Sequence, residues 1–161
     1  MSTIEIIETD LERPKHQRAV VELLDAYARD PKGNGKPLAD NVKRELIAGL
    51  QRHPTTHVFL AYVSDRPVGI AVCFLGFSTF AARPLLNLHD FAVLAEYRGQ
   101  GIARQLLEAV EAKARELGCC KLTLEVNEHN HRARQLYREA GFGPSDRIPQ
   151  SGLWLFMTKP V

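Results

Sequence analysis

The sequence predicts a single-domain α/β fold built on a mixed sheet. Three observations carry that expectation. Segments of alternating or near-continuous apolar residues are interleaved with segments whose apolar residues recur every three or four positions, in the order β-α-α-β-β-β-α-β-α-β. No repeat, low-complexity tract or interdomain linker interrupts the series. The 161 residues, 45% of them hydrophobic, amount to one domain, large enough to bury a core without disulfides or a structural metal.

Each element has its own signal. Thr3 to Glu8 is short and β-branched, a first strand. Pro14 opens a helix to about Arg29, with Val20, Leu23, Leu24 and Tyr27 on one stripe. Asp30 to Pro37 is dense in breakers and reads as a loop. Asp40 can cap a second helix running to about Arg52, with Val42, Leu46, Ile47 and Leu50 on its buried side. The period then changes: His57–Ser64 and Pro67–Phe77 are apolar runs joined by a short turn, a hairpin of largely buried strands, and Leu85–Val93 follows as a further strand. Glu96–Gly101 is polar and turn-prone. Ile102–Leu117 has helical spacing and is ended by Gly118. Lys121–Val126 alternates as a strand, Asn130–Ala140 is a helix ended by Gly141, and Gly152–Lys159 is the last strand. Helices between the later strands imply a parallel crossover near the fifth strand, whereas the hairpins are antiparallel.

Charge and composition exclude several classes. With 21 basic and 19 acidic residues the net charge is +2, which offers no electrostatic footprint for nucleic acid. The N-terminus lacks a basic region followed by an apolar run, and no stretch reaches 18 consecutive apolar residues, so a cytoplasmic protein without a membrane span is expected. Cys73, Cys119 and Cys120 have no Cys-x-x-Cys spacing and read as reduced, buried small hydrophobes. His53 and His57, and His129 and His131, have no Cys or acidic companion at zinc-like spacing, so no metal is expected.

Two segments carry chemistry. In Arg98-Gly-Gln-Gly-Ile-Ala103, between a strand and a helix, Gly99 and Gly101 permit backbone angles that turn N–H groups outward, and the helix start leaves further N–H groups without acceptors. An oxyanion-rich group fits there, with Arg98 and Arg104 at its edge; a tight turn alone also explains the glycines. A dinucleotide fingerprint fails at Arg104, and a P-loop fails because Gly35-Lys36 is followed by Pro37. In the second segment, Asn130 and Tyr137 lie about 700° apart on a helix, hence nearly on one face with Ala133 between them. That makes a slot with an amide at one end and a phenol at the other, or simply places Tyr137 in the core.

Together these residues resemble the GNAT superfamily of acyl-CoA-dependent N-acyltransferases. Arg98, Gly101 and Ala103 match its Arg/Gln-x-x-Gly-x-Gly/Ala pattern after the strand ending Phe91-Ala-Val93, and Asn130, Ala133, Leu136, Tyr137, Gly141 and Phe142 match its downstream pattern. The resemblance covers about residues 85 to 143. It implies a mixed, splayed sheet of roughly six to seven strands with about four flanking helices, acetyl-CoA as co-substrate, and a primary amine of a small molecule as acceptor. Phe91, Ala92 and Val93 would face pantetheine, a backbone N–H near Val93 polarising the thioester oxygen. The loop Arg98, Gly99, Gln100, Gly101, Ile102 and Ala103, with Arg104 beside it, would take the pyrophosphate. Asn130 and Ala133 would line the pantetheine arm, and Tyr137 would be the general acid for the leaving thiolate.

The acceptor amine must lose a proton first: with an unperturbed pKa near 10.4, only about one part in 2,500 is neutral at pH 7, a cost of roughly 4.6 kcal/mol. His89 is the candidate base. As its neighbour on one strand, Asp90 is expected to face the other side of the sheet, so that only one of the two points at a given cleft. Phe77-Ser-Thr-Phe-Ala-Ala-Arg-Pro84 and Leu88-His-Asp-Phe-Ala-Val93 further resemble the diamine acetyltransferase branch, which carries Glu where this chain has His89. Tyr27, Ser78 and Asp90 are the candidate acceptor-binding residues, and the acceptor site is expected to be built from segments 27–40, 78–83 and 145–153, which show the least pattern. A protein or peptide N-terminus as acceptor, and a non-catalytic CoA-binding sensor, are the competing readings. Pairing of the last strand, with Trp154 and Phe156, across two copies would give a homodimer.

Overall fold

The computed structural model describes residues 3–143 and 157–160. Strands β1 (Ile4–Glu8), β2 (Thr56–Val63), β3 (Arg66–Ser78), β4 (Arg83–Val93) and β5 (Leu122–Leu124) form one sheet in that spatial order, antiparallel throughout except for the parallel β4–β5 pair. Helix α1 (Pro14–Arg29) and helix α2 (Asp40–Arg52) follow β1; α3 (Ile102–Glu116) makes the crossover from β4 to β5, and α4 (His131–Glu139) follows β5. The expected α/β class and crossover are present, and the element order is as expected through α4. Among the described residues five strands stand where six to seven were expected: the expected acceptor segment 145–153 and residues 152–156 of the last expected strand, Gly152–Lys159, lie outside the described residues, and Met157 to Lys159 are in no strand.

The periodicities explain the layering. Val58, Leu60 and Tyr62 of β2 and Ile70 and Val72 of β3 point to one face, where Ala19, Val20, Leu23 and Leu24 of α1 and Leu50 of α2 cover them. Phe59, Ala61, Ala71 and Cys73 point to the other, under Ile102, Leu106, Leu107 and Val110 of α3. Because both faces are covered, β2 and β3 read as nearly unbroken apolar runs. Val42, expected on the buried side of α2, is instead 40% exposed. That helix buries only Leu50 and lies at the margin of the layer. Pro14 begins α1, where a missing N–H costs nothing. No helix among the described residues is long and apolar enough to cross a membrane.

One irregularity shapes everything that follows. Opposite β3, Val72 pairs with Asp90 but Cys73 pairs with Leu88, so β4 carries one extra residue, His89, at a β-bulge. Before it, Leu86 and Leu88 face α3; after it, Phe91 and Val93 do, while Ala92 faces α1. The alternation therefore resets by one residue. His89 packs edge-on against Phe74, a residue of the α1 face, with ring centroids 5.3 Å apart, and Asp90 is close enough to Tyr27 of α1 to raise the affinity of its phenol for its proton. Contrary to strict alternation, His89 and Asp90 point to the same side.

Just before the bulge, β4 has its last contact with β5, which spans Leu86–Leu88 against Leu122–Leu124. The expected strand Lys121–Val126 is trimmed to this short piece. From Asp90 onward β4 keeps β3 on one edge and has no strand on the other among the described residues, because a bulge bends the strand that carries it. A wedge opens between the two.

Candidate active site

The wedge is a cleft of about 410 Å³, floored by β4 and walled by the ends of α1, α3 and α4. Its edge is made by main chain. The N–H of Leu94 bonds to the carbonyl of Val68 on β3 at 2.9 Å. In an antiparallel ladder alternate residues turn both polar groups to the same neighbour, so Ala92 and Leu94 serve β3, and Phe91 and Val93 present theirs to the wedge. Of the three residues expected to meet pantetheine, two thus offer backbone groups, and Ala92 contributes to the cleft lining only.

Past β4, a single 3₁₀ turn, Ala95–Tyr97, delivers the chain to the glycine loop. Gly99 and Gly101 both have φ of 82°, the left-handed region that side-chain-bearing residues avoid, and Gly101 is the N-cap of α3. Space beside Gly101 is open, and beside Gly99 the nearest group is the Arg132 guanidinium, 3.5 Å from where a Cβ would stand. The N–H groups of Gly99, Gln100 and Gly101 donate to no acceptor among the described residues. Unengaged N–H groups, a helix N-terminus and a nearby cation form a cradle for an anion. Ile102 and Ala103 line the cleft beside it. Gln100 turns away, its amide donating to the carbonyl of Glu96 at 3.3 Å.

The flanking arginines differ in engagement. Arg98 donates from Nε to the carbonyl of Val93 at 2.9 Å and from Nη2 to Asp30 at 2.6 Å, and this guanidinium holds the Asp30 carboxyl below the usual carboxylate range. Arg104 is paired with Glu139 of α4 at 2.8 Å. Asp30, Lys32, Tyr97 and Glu139 are cleft residues without a place in either sequence motif. The one hint of the first two is their position in a breaker-rich loop directly after Tyr27.

On the α4 side, Asn130 caps its helix by accepting the Ala133 N–H at 3.3 Å, which leaves its amide NH₂ for the cleft that Asn130, Ala133 and Leu136 line. Tyr137 is 8% exposed and lies between the Phe91 and Phe142 rings, with centroids 6.1 and 5.7 Å away. It borders a second hollow behind α4. Burial first, and then the neighbouring Tyr27 phenol, push its pKa up to about 12. Tyr27 is itself raised by burial and by Asp90 and Asp30. Asp90 is raised by its own burial, against the opposing pull of His89. Tyr27, which lines the cleft, thus interacts electrostatically with both Asp90 and Tyr137, although neither of those two is among the cleft-lining residues. Ser78 is not among them: at the far tip of the β3–β4 hairpin, its hydroxyl accepts the N–H of Ala81 at 3.3 Å. Cys73 is fully buried and its thiol is pushed up to about 12 by that burial, which makes a thiolate scarce at neutral pH. Cys119 and Cys120 are only partly buried, and both are free.

The model of the acetyltransferase (GNAT) family matches residues 18–142. An uncharacterised N-acetyltransferase of Bacillus subtilis is 44% identical over 61 residues, a match that spans 38% of this chain and 39% of that relative. A thialysine N-epsilon-acetyltransferase of Bos taurus is 33% identical over 116 residues, 65% of this chain and 68% of the relative. Among solved structures, an aminoglycoside N-acetyltransferase in complex with CoA superposes with a TM-score of 0.75 at 17% identity, covering 99% of this chain and 96% of that one. That last likeness is one of fold.

Proposed function

The chain belongs to the acetyltransferase (GNAT) family, and from that premise we propose that it transfers the acetyl group of acetyl-CoA to the primary amine of a small molecule, by direct attack in a ternary complex. The observation that carries this reading is the presence along one cleft of two sets of free main-chain donors, the Phe91 and Val93 N–H groups on the open edge of β4 and those of Gly99, Gln100 and Gly101 before α3. This arrangement suits a ligand with an amide-bearing arm at one end and a diphosphate at the other. The similarity to a thialysine acetyltransferase supports a small-molecule acceptor.

Each group then has a task. The Val93 N–H stabilises negative charge on the thioester oxygen as the amine attacks, a contribution typically worth about 3 kcal/mol per donor. His89 and Asp90, side by side on the α1 face, receive the proton that the ammonium must shed; burial raises the affinity of Asp90 for a proton above that of an ordinary carboxylate, which makes it the stronger base. Tyr137 remains protonated throughout the physiological range and donates to the departing sulfur. With a pKa this high, a strong hydrogen bond to the thiolate is favoured over full loss of the proton. Because the diamine branch has Glu at the His89 position, this chain lacks one fixed negative charge for a second ammonium, which favours acceptors with a single reactive amine.

The test is thiol release from acetyl-CoA across a panel of small amines, with diamines and short peptides alongside. Turnover with monoamines supports the reading. Tight binding of CoA with no thiol release for any amine would establish the sensor instead, and turnover confined to peptides would move the acceptor to a protein N-terminus.

A further inference from the structure

Arg98 is the arginine that the sequence motif itself supplies, yet its guanidinium is committed twice, to the Val93 carbonyl and to Asp30, a partner 68 residues away. The two charged side chains are 31% and 17% exposed. Asp30 is a rigid anchor. It ends α1 with its N–H bonded to the carbonyls of Ala26 and Tyr27; its second carboxylate oxygen takes the N–H of Lys32 at 2.8 Å, and its carbonyl takes that of Gly33 at 2.8 Å. Turning the guanidinium as a whole toward an incoming diphosphate would break a short charge-assisted bond and strand a largely buried carboxylate. A different cation is at hand: Arg132 stands over Gly99 and has no ion pair among the described residues.

Resting on the acyl-transfer reading above, we infer that Arg98 is a positioning residue and not the phosphate ligand: anchored by Asp30, it pins the main chain of Val93 where β4 leaves the sheet and so keeps the Val93 N–H directed into the wedge. Arg132 and the loop N–H groups meet the phosphate charge. One strut thereby ties the loop after α1, on the acceptor side, to the strand that handles the thioester.

Two acyl donors separate these roles: acetyl-CoA, and acetyl-pantetheine, which has the thioester and the arm but no diphosphate. With Arg98→Ala and with Asp30→Asn, kcat falls about tenfold or more with both donors, the scale expected for a slightly misplaced catalytic group. Calorimetry on the same variants gives CoA binding with unchanged stoichiometry and a Kd within twofold of the parent, which a merely unfolded or loosened variant would not. Asp30→Glu, which keeps the carboxylate, recovers turnover. Arg132→Ala shows the converse, a raised KM for acetyl-CoA and an unchanged one for acetyl-pantetheine. A loss for Arg98→Ala confined to acetyl-CoA, or carried in KM and in the CoA Kd, would overturn the inference, as would parental kcat in both variants or an Asp30→Glu variant as slow as Asp30→Asn. If the parent turns over acetyl-CoA but not acetyl-pantetheine, the kcat loss set against constant CoA affinity decides alone. A parent that releases no thiol from acetyl-CoA with any amine rejects the acyl-transfer reading together with this role; a working parent with unimpaired variants rejects only the role.

Discussion

His89 and Asp90 are sequence neighbours on a strand, yet both side chains face α1, one against Phe74 and the other toward Tyr27. The bulge in β4 is the cause. It places on one face of the sheet two side chains that regular pleating would put on opposite faces.

Replacing Asp90 with Asn removes the member of that pair whose proton affinity is raised. Turnover is expected to drop by about 100-fold, in the range of general acid–base contributions, with KM for acetyl-CoA changed less than twofold. In the parent, activity should rise with pH as Asp90 deprotonates, over a range above the ordinary carboxylate value of 3.8. Rate profiles from pH 4 to pH 9 check this: the variant should lack that acidic limb, and a limb at the same place in both proteins would assign it elsewhere.

Tyr137→Phe keeps the ring packed between Phe91 and Phe142 and deletes only the hydroxyl. A kcat lower by about 100-fold, with CoA affinity nearly constant, is the expected signature of a donor that acts on the leaving sulfur. Since the phenol is pushed up to about 12, Tyr137 contributes no alkaline loss of activity below pH 10. An alkaline decline in the parent that disappears in the Phe variant would contradict the assignment.

Much of this could be read from residue patterns alone. Strands β2 and β3 and helices α1 and α3 announce themselves because burial on one or two faces imposes a period, and the loop was visible because only glycine sits comfortably at the φ of residues 99 and 101. The bulge was not visible. Leu88-His-Asp-Phe read as a regular strand puts Asp90 on the α3 face, and the extra residue is defined only by what it pairs with on β3. Long-range pairing hid the Arg98–Asp30 contact for the same reason: a salt bridge across 68 residues leaves no spacing to detect. Ser78 was nominated by resemblance; its hydroxyl serves the local turn.

The Asp30–Arg98 pair also makes stability depend on pH. The Asp30 carboxyl is held below its ordinary 3.8, mainly by the Arg98 hydrogen bond. A depressed carboxylate adds stability that is fully present above the unfolded-state value and is lost as pH falls through the folded one. Urea melts should therefore show Asp30→Asn less stable than the parent at pH 6, with the gap closing below about pH 3.8. A gap that stays constant down to pH 3 would remove the charge from the explanation.

Gly33 tests the loop that carries the anchor. A Cβ at this position would stand 2.1 Å from the carbonyl oxygen of Tyr27, so Gly33→Ala must push the loop off the end of α1. The expected loss is about 1–3 kcal/mol, typical of overpacking against a group that cannot move aside, and it is read as a shift in denaturation midpoint at constant m-value.

The parallel pair β4–β5 is only three residues long, and it is what joins the antiparallel half of the sheet to the strand and helix beyond the wedge. Few backbone hydrogen bonds thus hold the two strands together, and a short ladder is where local opening begins. A ligand whose amides bond to Phe91 and Val93 adds rungs to this short ladder and so stitches the halves together. Substrate binding and cohesion of the sheet are then one event, with amide exchange at Leu122–Leu124 slowing as the donor enters.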